Sequence, residues 1–381
     1  MRHSVLQKQQ TARKIFTFCV VYFLAFAFCY VFLLQRDILA QTQYKLSDGT
    51  TLYRPLLSAV LCALLGTALS IFAFRMLRRL PLRAKAMAWF PSFLLIGLLG
   101  SAHFPELGDT ASPYRWVWVL LSILAYMALL PFCSLLRYAP GKRESFTSCA
   151  WPNALLLTLF SLVSIAISNT DIVLHRTLQS ARYLQACDYE AALQTARWEA
   201  SPSKRLSSMT AFALSKTDQM GQSLFCYPQP YGSEGLLPLC SDTVMFYDLP
   251  RAVGHHIGYK RGNDITATRF LETIAPMPHA RPSARQYLLC AYLLDKELDK
   301  FCTLLLTRDS LSLSLPRHYR EALLLHQELN PETDILLEDS ALNVAFQQFK
   351  AYLKEDVAKD ERELKCRDRF GNTYWNYYYF N

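Results

Sequence analysis

The residues able to do chemistry in this sequence are scattered rather than gathered into a recognisable motif. Asp37 follows the first long apolar stretch, and Glu106 and Asp109 fall in a later loop. A carboxylate so placed could act as a general base, drawing a proton from an attacking hydroxyl. His255 and His256 are adjacent, which on a helix aims their rings about 100° apart and denies a metal ion a shared face. They read as helix-surface histidines, and no metal or other cofactor is expected. The 11 cysteines form no CxxC pair and show no metal-ligand spacing. Cys19, Cys29, Cys62, Cys133 and Cys149 lie in apolar surroundings and read as small hydrophobes. Cys226 and Cys240 bracket the turn-rich stretch CYPQPYGSEGLLPLC and have two readings. One is a disulfide closing a loop of about fifteen residues, worth roughly 3 kcal/mol in the chain-entropy model. The other is a pair of free thiols. Near the C-terminus, GNTYWNYYYFN gathers Tyr374, Trp375, Tyr377, Tyr378, Tyr379 and Phe380 behind a charged run over 354–369. So many rings either dock as a cap on the preceding helices or on a membrane interface, or form a stacking surface for a sugar or peptide. In the second case Tyr374, Trp375, Tyr377 and Tyr378 are the binding residues. No phosphate loop, GxSxG, HExxH or dinucleotide fingerprint occurs.

The elements that must position these residues divide by composition. A bilayer core about 30 Å thick needs roughly twenty apolar residues of helix, because lipid offers no partner to an unpaired backbone group. Residues 15–34 and 55–74 each run that length without a charge, and 116–136 is equally clean, with Trp116, Trp118 and Tyr138 at interfacial positions and Pro131 near one end. Two further stretches, 86–104 and 151–169, are weaker: the first contains Pro91, Gly97 and Gly100, and the second Asn153 and three serines. The reading is five membrane spans in a domain over 1–170, followed by a soluble helical domain over 171–381. The first stretch exceeds the apolar core of a signal peptide and has no small-residue cleavage site behind it, so it is expected to remain.

Charge follows the same division. Residues 1–170 hold sixteen of the 40 Lys and Arg but five of the 31 Asp and Glu, leaving the second half close to neutral. The basic excess sits in short loops between apolar runs, where membrane topology accounts for it and nucleic-acid binding does not. The N-terminal segment and the second and fourth loops carry twelve basic residues, the first loop three and the third none. Positive loops stay in the cytosol. With five crossings, that rule puts the N-terminus inside and the second domain outside, in the periplasm of a Gram-negative cell.

Beyond residue 171, apolar residues recur at three- and four-residue intervals, which favours helices over 206–216, 265–274, 283–294 and 318–329. Tyr189, Leu193 and Ala196 share one face in DYEAALQTARWEASP, as do Leu342, Ala345, Phe346, Phe349 and Leu353 in SALNVAFQQFKAYL. Short helices in succession suggest an all-α stack of helical hairpins. The stretches 187–202 and ALLLHQELNP resemble the second half of a tetratricopeptide repeat. The distance from Pro202 to Pro331 is no multiple of 34, however, and the first-helix Trp, Leu and Gly pattern is missing.

From RDILAQTQY through RPLLSAVL and WFPSFLLIGLL to the terminal TYWNYYYF, nearly the whole chain resembles a family of bacterial polytopic membrane proteins known only as a domain of unknown function. That resemblance implies several N-terminal spans, a tetratricopeptide-like C-terminal region and a bacterial inner membrane, and brings no catalytic residue. Two functions are weighed. One is a membrane-anchored interaction or scaffold protein whose helical stack holds a protein or peptide partner. The other resembles polytopic glycosyltransferases that use lipid-linked sugars, with Asp37 as the outer-loop base. Transport ranks low, because the spans are almost free of ionisable groups.

Overall fold

In the computed structural model, residues 2–107, 115–135, 145–197, 199–240, 243–244, 247–307, 315–331, 339–354 and 358–381 are described. The uncharged runs become helices, as the backbone demands where no water can partner it. The order is α1 (Arg2–Cys29), α2 (Arg36–Leu46), α3 (Pro55–Met76), α4 (Phe90–Leu99), α5 (Arg115–Leu135) and α6 (Phe146–Ile167). Five stretches are long and apolar enough to cross a membrane: Gln9–Leu34, Pro55–Met76, Leu82–Leu99, Trp116–Cys133 and Phe146–Ile167. A π-helical turn at Tyr30–Leu34 completes the first.

The third stretch differs most from its expected bounds of 86–104. Helix α4 has only 10 residues, with Pro91 in its first turn, where the missing N–H leaves no bond unmade. Upstream, the chain continues as a 3₁₀ helix over Leu82–Trp89. A kink at Ala84, whose φ of −122° and ψ of 18° are not helical, breaks this piece, so the stretch is not one straight rod. This stretch is also the most enclosed of the five, 61% buried against 11% for the fourth. In the fifth, Ser145 Oγ accepts from Ser148 N and starts α6 earlier than the expected 151. Tyr138 of the fourth expected span, together with Arg137, Lys142, Arg143 and Asp109, lies outside the described residues.

The chain divides into two compact units, Met1–His175 and Arg176–Asn381, the division falling inside α7 (Ile172–Gln185). The second unit continues with α8 (Tyr189–Arg197), α9 (Lys204–Lys216), α10 (Met220–Ser223), α11 (Leu249–Ile257), α12 (Ala267–Ile274), α13 (Pro282–Leu294) and α14 (Leu298–Leu306). It closes with α15 (Arg317–Leu329), α16 (Ser340–Leu353), α17 (Lys359–Phe370) and α18 (Tyr374–Phe380). Two-residue strands at Thr243–Val244 and Tyr247–Asp248 pair antiparallel ahead of α11.

Three helical hairpins in this unit turn in the same way. Cys187, Asp218 and Lys296 all adopt left-handed backbone, with φ of 57°, 56° and 61°. Each is followed by an N–H that reaches back across the turn: Asp188 to Tyr183 O, Gln219 to Leu214 O and Glu297 to Tyr292 O, at 2.8–2.9 Å. This is the Schellman close of a helix, normally made by glycine, and it satisfies carbonyls that the helix end leaves open. The pairs so joined are α7 with α8, α9 with α10 and α13 with α14. Helix α13 is enclosed along its length from Tyr287 to Leu294, and Leu206, Met209, Phe212, Phe301, Leu305 and Leu323 complete the core. Burying each such side chain stabilises the fold by roughly 1.5–3 kcal/mol.

Candidate functional site

The carboxylates singled out by sequence are not drawn into one site. Glu106 is exposed, lies 2.5 Å from Lys45 Nζ, and has its pKa lowered chiefly by that hydrogen bond. A general base works best with a pKa near the working pH, so this pairing argues against such a role. Asp37 is half-buried in the first turn of α2.

The apolar unit is organised instead around neutral polar side chains turned inward. Asn153, fully buried on α6, accepts from Ala86 N at 2.6 Å and donates to Leu82 O at 2.8 Å and Cys149 O at 2.7 Å. It holds the irregular 3₁₀ backbone that hydrocarbon would otherwise leave unpaired. The residue that weakened the fifth span in the sequence is thus the one that lets the third be irregular. Ser164 Oγ donates to Phe93 O at 2.8 Å, and beside it a Cβ on Gly97 would stand 2.9 Å from Ser164 Cα, so the small residue lets α4 and α6 meet. Ser70 donates to Ser92, which donates to Gly66 O, both at 2.7 Å. At the far end of α4, Asn169 N donates to Gly100 O and Asn169 Nδ2 to Ala102 O.

In the second unit the corresponding centre is charged. Glu321, fully buried on α15, accepts from Arg317 Nε at 2.7 Å, from His318 Nδ1 at 2.9 Å and from Tyr374 N at 2.7 Å. Its backbone carbonyl accepts from Trp375 Nε1 at 2.8 Å. Tyr377 OH donates to Leu294 O, the last carbonyl of α13, at 2.9 Å. Phe225 packs its ring 5.0–5.1 Å from His318, Tyr374 and Tyr377. Burial raises the Tyr374 hydroxyl pKa and, with Asp295 beside it, pushes that of Tyr377 up to about 12, so both stay neutral. These contacts correct the stacking-surface expectation: Tyr374, Trp375 and Tyr377 are core residues, and only Tyr378 remains half-buried. Tyr378 lines a groove of about 410 Å³ with Lys296, Glu297, Asp299, Lys300 and Leu329. The groove's charges are largely answered at home: Lys300 pairs with Glu272 and Glu297, and Asp299 with His326.

The turn-rich loop is ordered without a disulfide. Cys226 and Cys240 are free thiols, and Cys240 Sγ donates to Arg261 O. Glu234, between them, accepts from Lys204 Nζ at 3.1 Å, Arg261 Nη2 at 2.8 Å and Ala267 N at 2.7 Å, the last capping α12. Desolvation opposes the Glu234 charge, but the bonds from Arg261, Ala267 and Lys204 outweigh it and lower the pKa. Of the two readings of these cysteines the structure has the free thiols, and one carboxylate does the fastening that a bridge would have done. His255 is exposed, whereas His256 Nε2 lies 2.8 Å from Ser215 Oγ, which also donates to Gln286 Oε1. Among the described residues, no group of His, Cys, Asp and Glu is placed to hold a metal ion.

Sequence reasoning missed Glu321, Glu234 and the structural part of Asn153. The available signal was a lone polar residue in an apolar run: Glu in REALLLH, Asn in WPNALLL. No curated protein and no solved structure matches the chain. The model of one family, described as a family of unknown function (DUF6057), matches residues 10–270 and 255–381, and the chain belongs to that family.

Proposed function

We propose that the protein is a membrane-anchored scaffold of the bacterial envelope, in which a tetratricopeptide-like stack holds a protein or peptide partner. The observation that carries this reading is the set of three hairpins closed by the same left-handed turn at Cys187, Asp218 and Lys296, in a chain that begins with five apolar helices. Stacked hairpins bury one face against the next and leave an extended surface for recognition. From Cys187 to Asp218 is 31 positions, near one repeat, and from Asp218 to Lys296 is 78. The interval between the second and third turns contains the Glu234 loop, the strand pair and α11 and α12. An insertion there fits a degenerate array better than an unrelated helical fold.

The basic loops set the orientation in this reading: the N-terminus faces the cytosol of the inner membrane and the helical stack faces the periplasm. Two experiments test it. Crosslinking in native membranes should recover a discrete protein partner attached to the second unit, and recovery of none would count decisively against a scaffold. Alkaline phosphatase fused at the C-terminus should be active and green fluorescent protein dark, and the opposite pattern reverses the orientation.

A further inference from the structure

One end of the apolar unit gathers positive charge. Arg75, Arg78, Arg79 and Arg83 fall within nine positions, from the last turn of α3 to the start of the 3₁₀ helix, and all four are exposed. None of them forms an ion pair among the described residues. The backbone between them cannot withdraw, because Leu80 and Leu82 are 7% exposed and plug into the apolar core. The pairing of α1 with α3, seen in the 5.0 Å approach of the Phe16 and Phe74 rings, brings exposed Arg13 and Lys14 to the same end. Lys85 joins them with its ammonium 4.9 Å from the Phe74 ring. The described acids of this unit, Asp37, Asp48, Glu106 and Asp171, all fall by connectivity at the opposite end, where Lys45 answers Glu106.

We propose that this collar binds the headgroups of anionic phospholipids, with Arg75, Arg78, Arg79 and Arg83 as the principal contacts. Orienting a chain requires only an excess of basic residues near a membrane end. Four guanidiniums on an anchored backbone, beside three further cations, do more: planar forks match phosphate oxygens in pairs. Each such charge near an anionic surface contributes about 1 kcal/mol. The assignment rests on the membrane reading but not on which compartment either end faces, since headgroups flank the bilayer on both sides.

The test uses the full chain, purified in mild detergent and reconstituted into nanodiscs of mixed phosphatidylglycerol and phosphatidylethanolamine. Lipid carried through re-extraction should be enriched in phosphatidylglycerol, and replacing the four arginines by Gln should lower that enrichment about tenfold or more. Replacement by Lys, which keeps the charge but not the fork and safeguards against loss of insertion, should leave an enrichment between those of the unaltered chain and the Gln variant. With the unaltered chain, raising the salt from about 0.1 to 0.5 M should weaken retention, as screening requires. Equal retention of the two lipids, or an undiminished preference in the Gln variant, overturns the proposal. Displacement by inorganic phosphate at matched ionic strength also overturns it, in favour of a free-phosphate site. A chain that stays in solution without detergent refutes the membrane reading itself and is recognised before any lipid is added.

Discussion

The two units meet one demand with different chemistry. Each contains a backbone segment that its own helices cannot satisfy: the 3₁₀ stretch Leu82–Trp89 in the first, the start of α18 in the second. In the apolar unit the partner is a neutral amide, Asn153, and hydroxyls serve the neighbouring helices in the same way, Ser92 on Gly66 O and Ser164 on Phe93 O. In the helical unit it is a carboxylate, Glu321, with Arg317 and His318 gathered round it. The difference follows from surroundings. A buried charge is tolerable where cations and N–H donors can be assembled, with Arg317 still reaching water. Hydrocarbon favours a group that donates and accepts without any charge to desolvate.

The contrast breaks most readily at Glu321. Glu321→Ala leaves the Arg317 side chain and the Tyr374 amide facing a void, and should destabilise the second unit by about 3–5 kcal/mol. Hydrogen exchange of the amides over 374–380 should accelerate accordingly. Unchanged exchange there would mean that ring packing alone holds the tail.

Asn153→Leu removes three hydrogen bonds and strands Ala86 N–H and Leu82 C=O within the apolar unit. A loss of about 2–4 kcal/mol is expected, read by steric trapping or by unfolding in a denaturing detergent. A loss below that of Ser92→Ala, which removes two hydroxyl hydrogen bonds and strands one carbonyl, would show that the amide is not the organising partner. Gly97→Ala sharpens the same point through shape. The added methyl meets Ser164 backbone at 2.9 Å, so α4 and α6 must separate, at about 1–3 kcal/mol. In Gly66→Ala the methyl meets the Phe23 ring at 2.6 Å, and that ring is fully buried against Trp89 and Phe93, so a comparable loss is expected.

What was legible in the sequence tracks how local its cause is. The five apolar stretches and the helices over 206–216 and 283–294 follow from runs and periods within one segment, and the structure has them as α9 and α13 with ends moved by one or two residues. The third apolar stretch misled because its shape depends on Asn153, some seventy positions away. The aromatic tail was recognised as too apolar to hang in water, but its seat was not legible. Glu321 and Leu294, which receive it, announce nothing by spacing. Cys226 and Cys240 drew notice as a pair because cysteines are conspicuous, while Glu234 between them looked like one more loop acid.

The smallest expected effect separates the units by pH. His256 sits against the edge of Phe212 with its Nε2 on Ser215, and its pKa is lowered from 6.5 to about 4 by burial, then by Lys216 and Arg281, with Asp218 opposing. The unfolded chain takes up a proton near 6.5 that the folded chain refuses until about 4. Between those values the unfolded state binds more protons, so stability falls as the solution is acidified. The full shift would correspond to about 3 kcal/mol, and solvent around a half-buried ring reduces that to about 1 kcal/mol. Glu234, whose pKa is lowered, loses its contribution only below the ordinary carboxylate range, so the two windows separate. Unfolding of the second unit at pH 7.5 and pH 5 should therefore differ by about 1 kcal/mol, and His256→Asn should flatten that difference. The five membrane-length stretches of the apolar unit hold no histidine, so they contribute no proton uptake across the same interval. A slope that survives in the Asn variant would show that His256 is not its source.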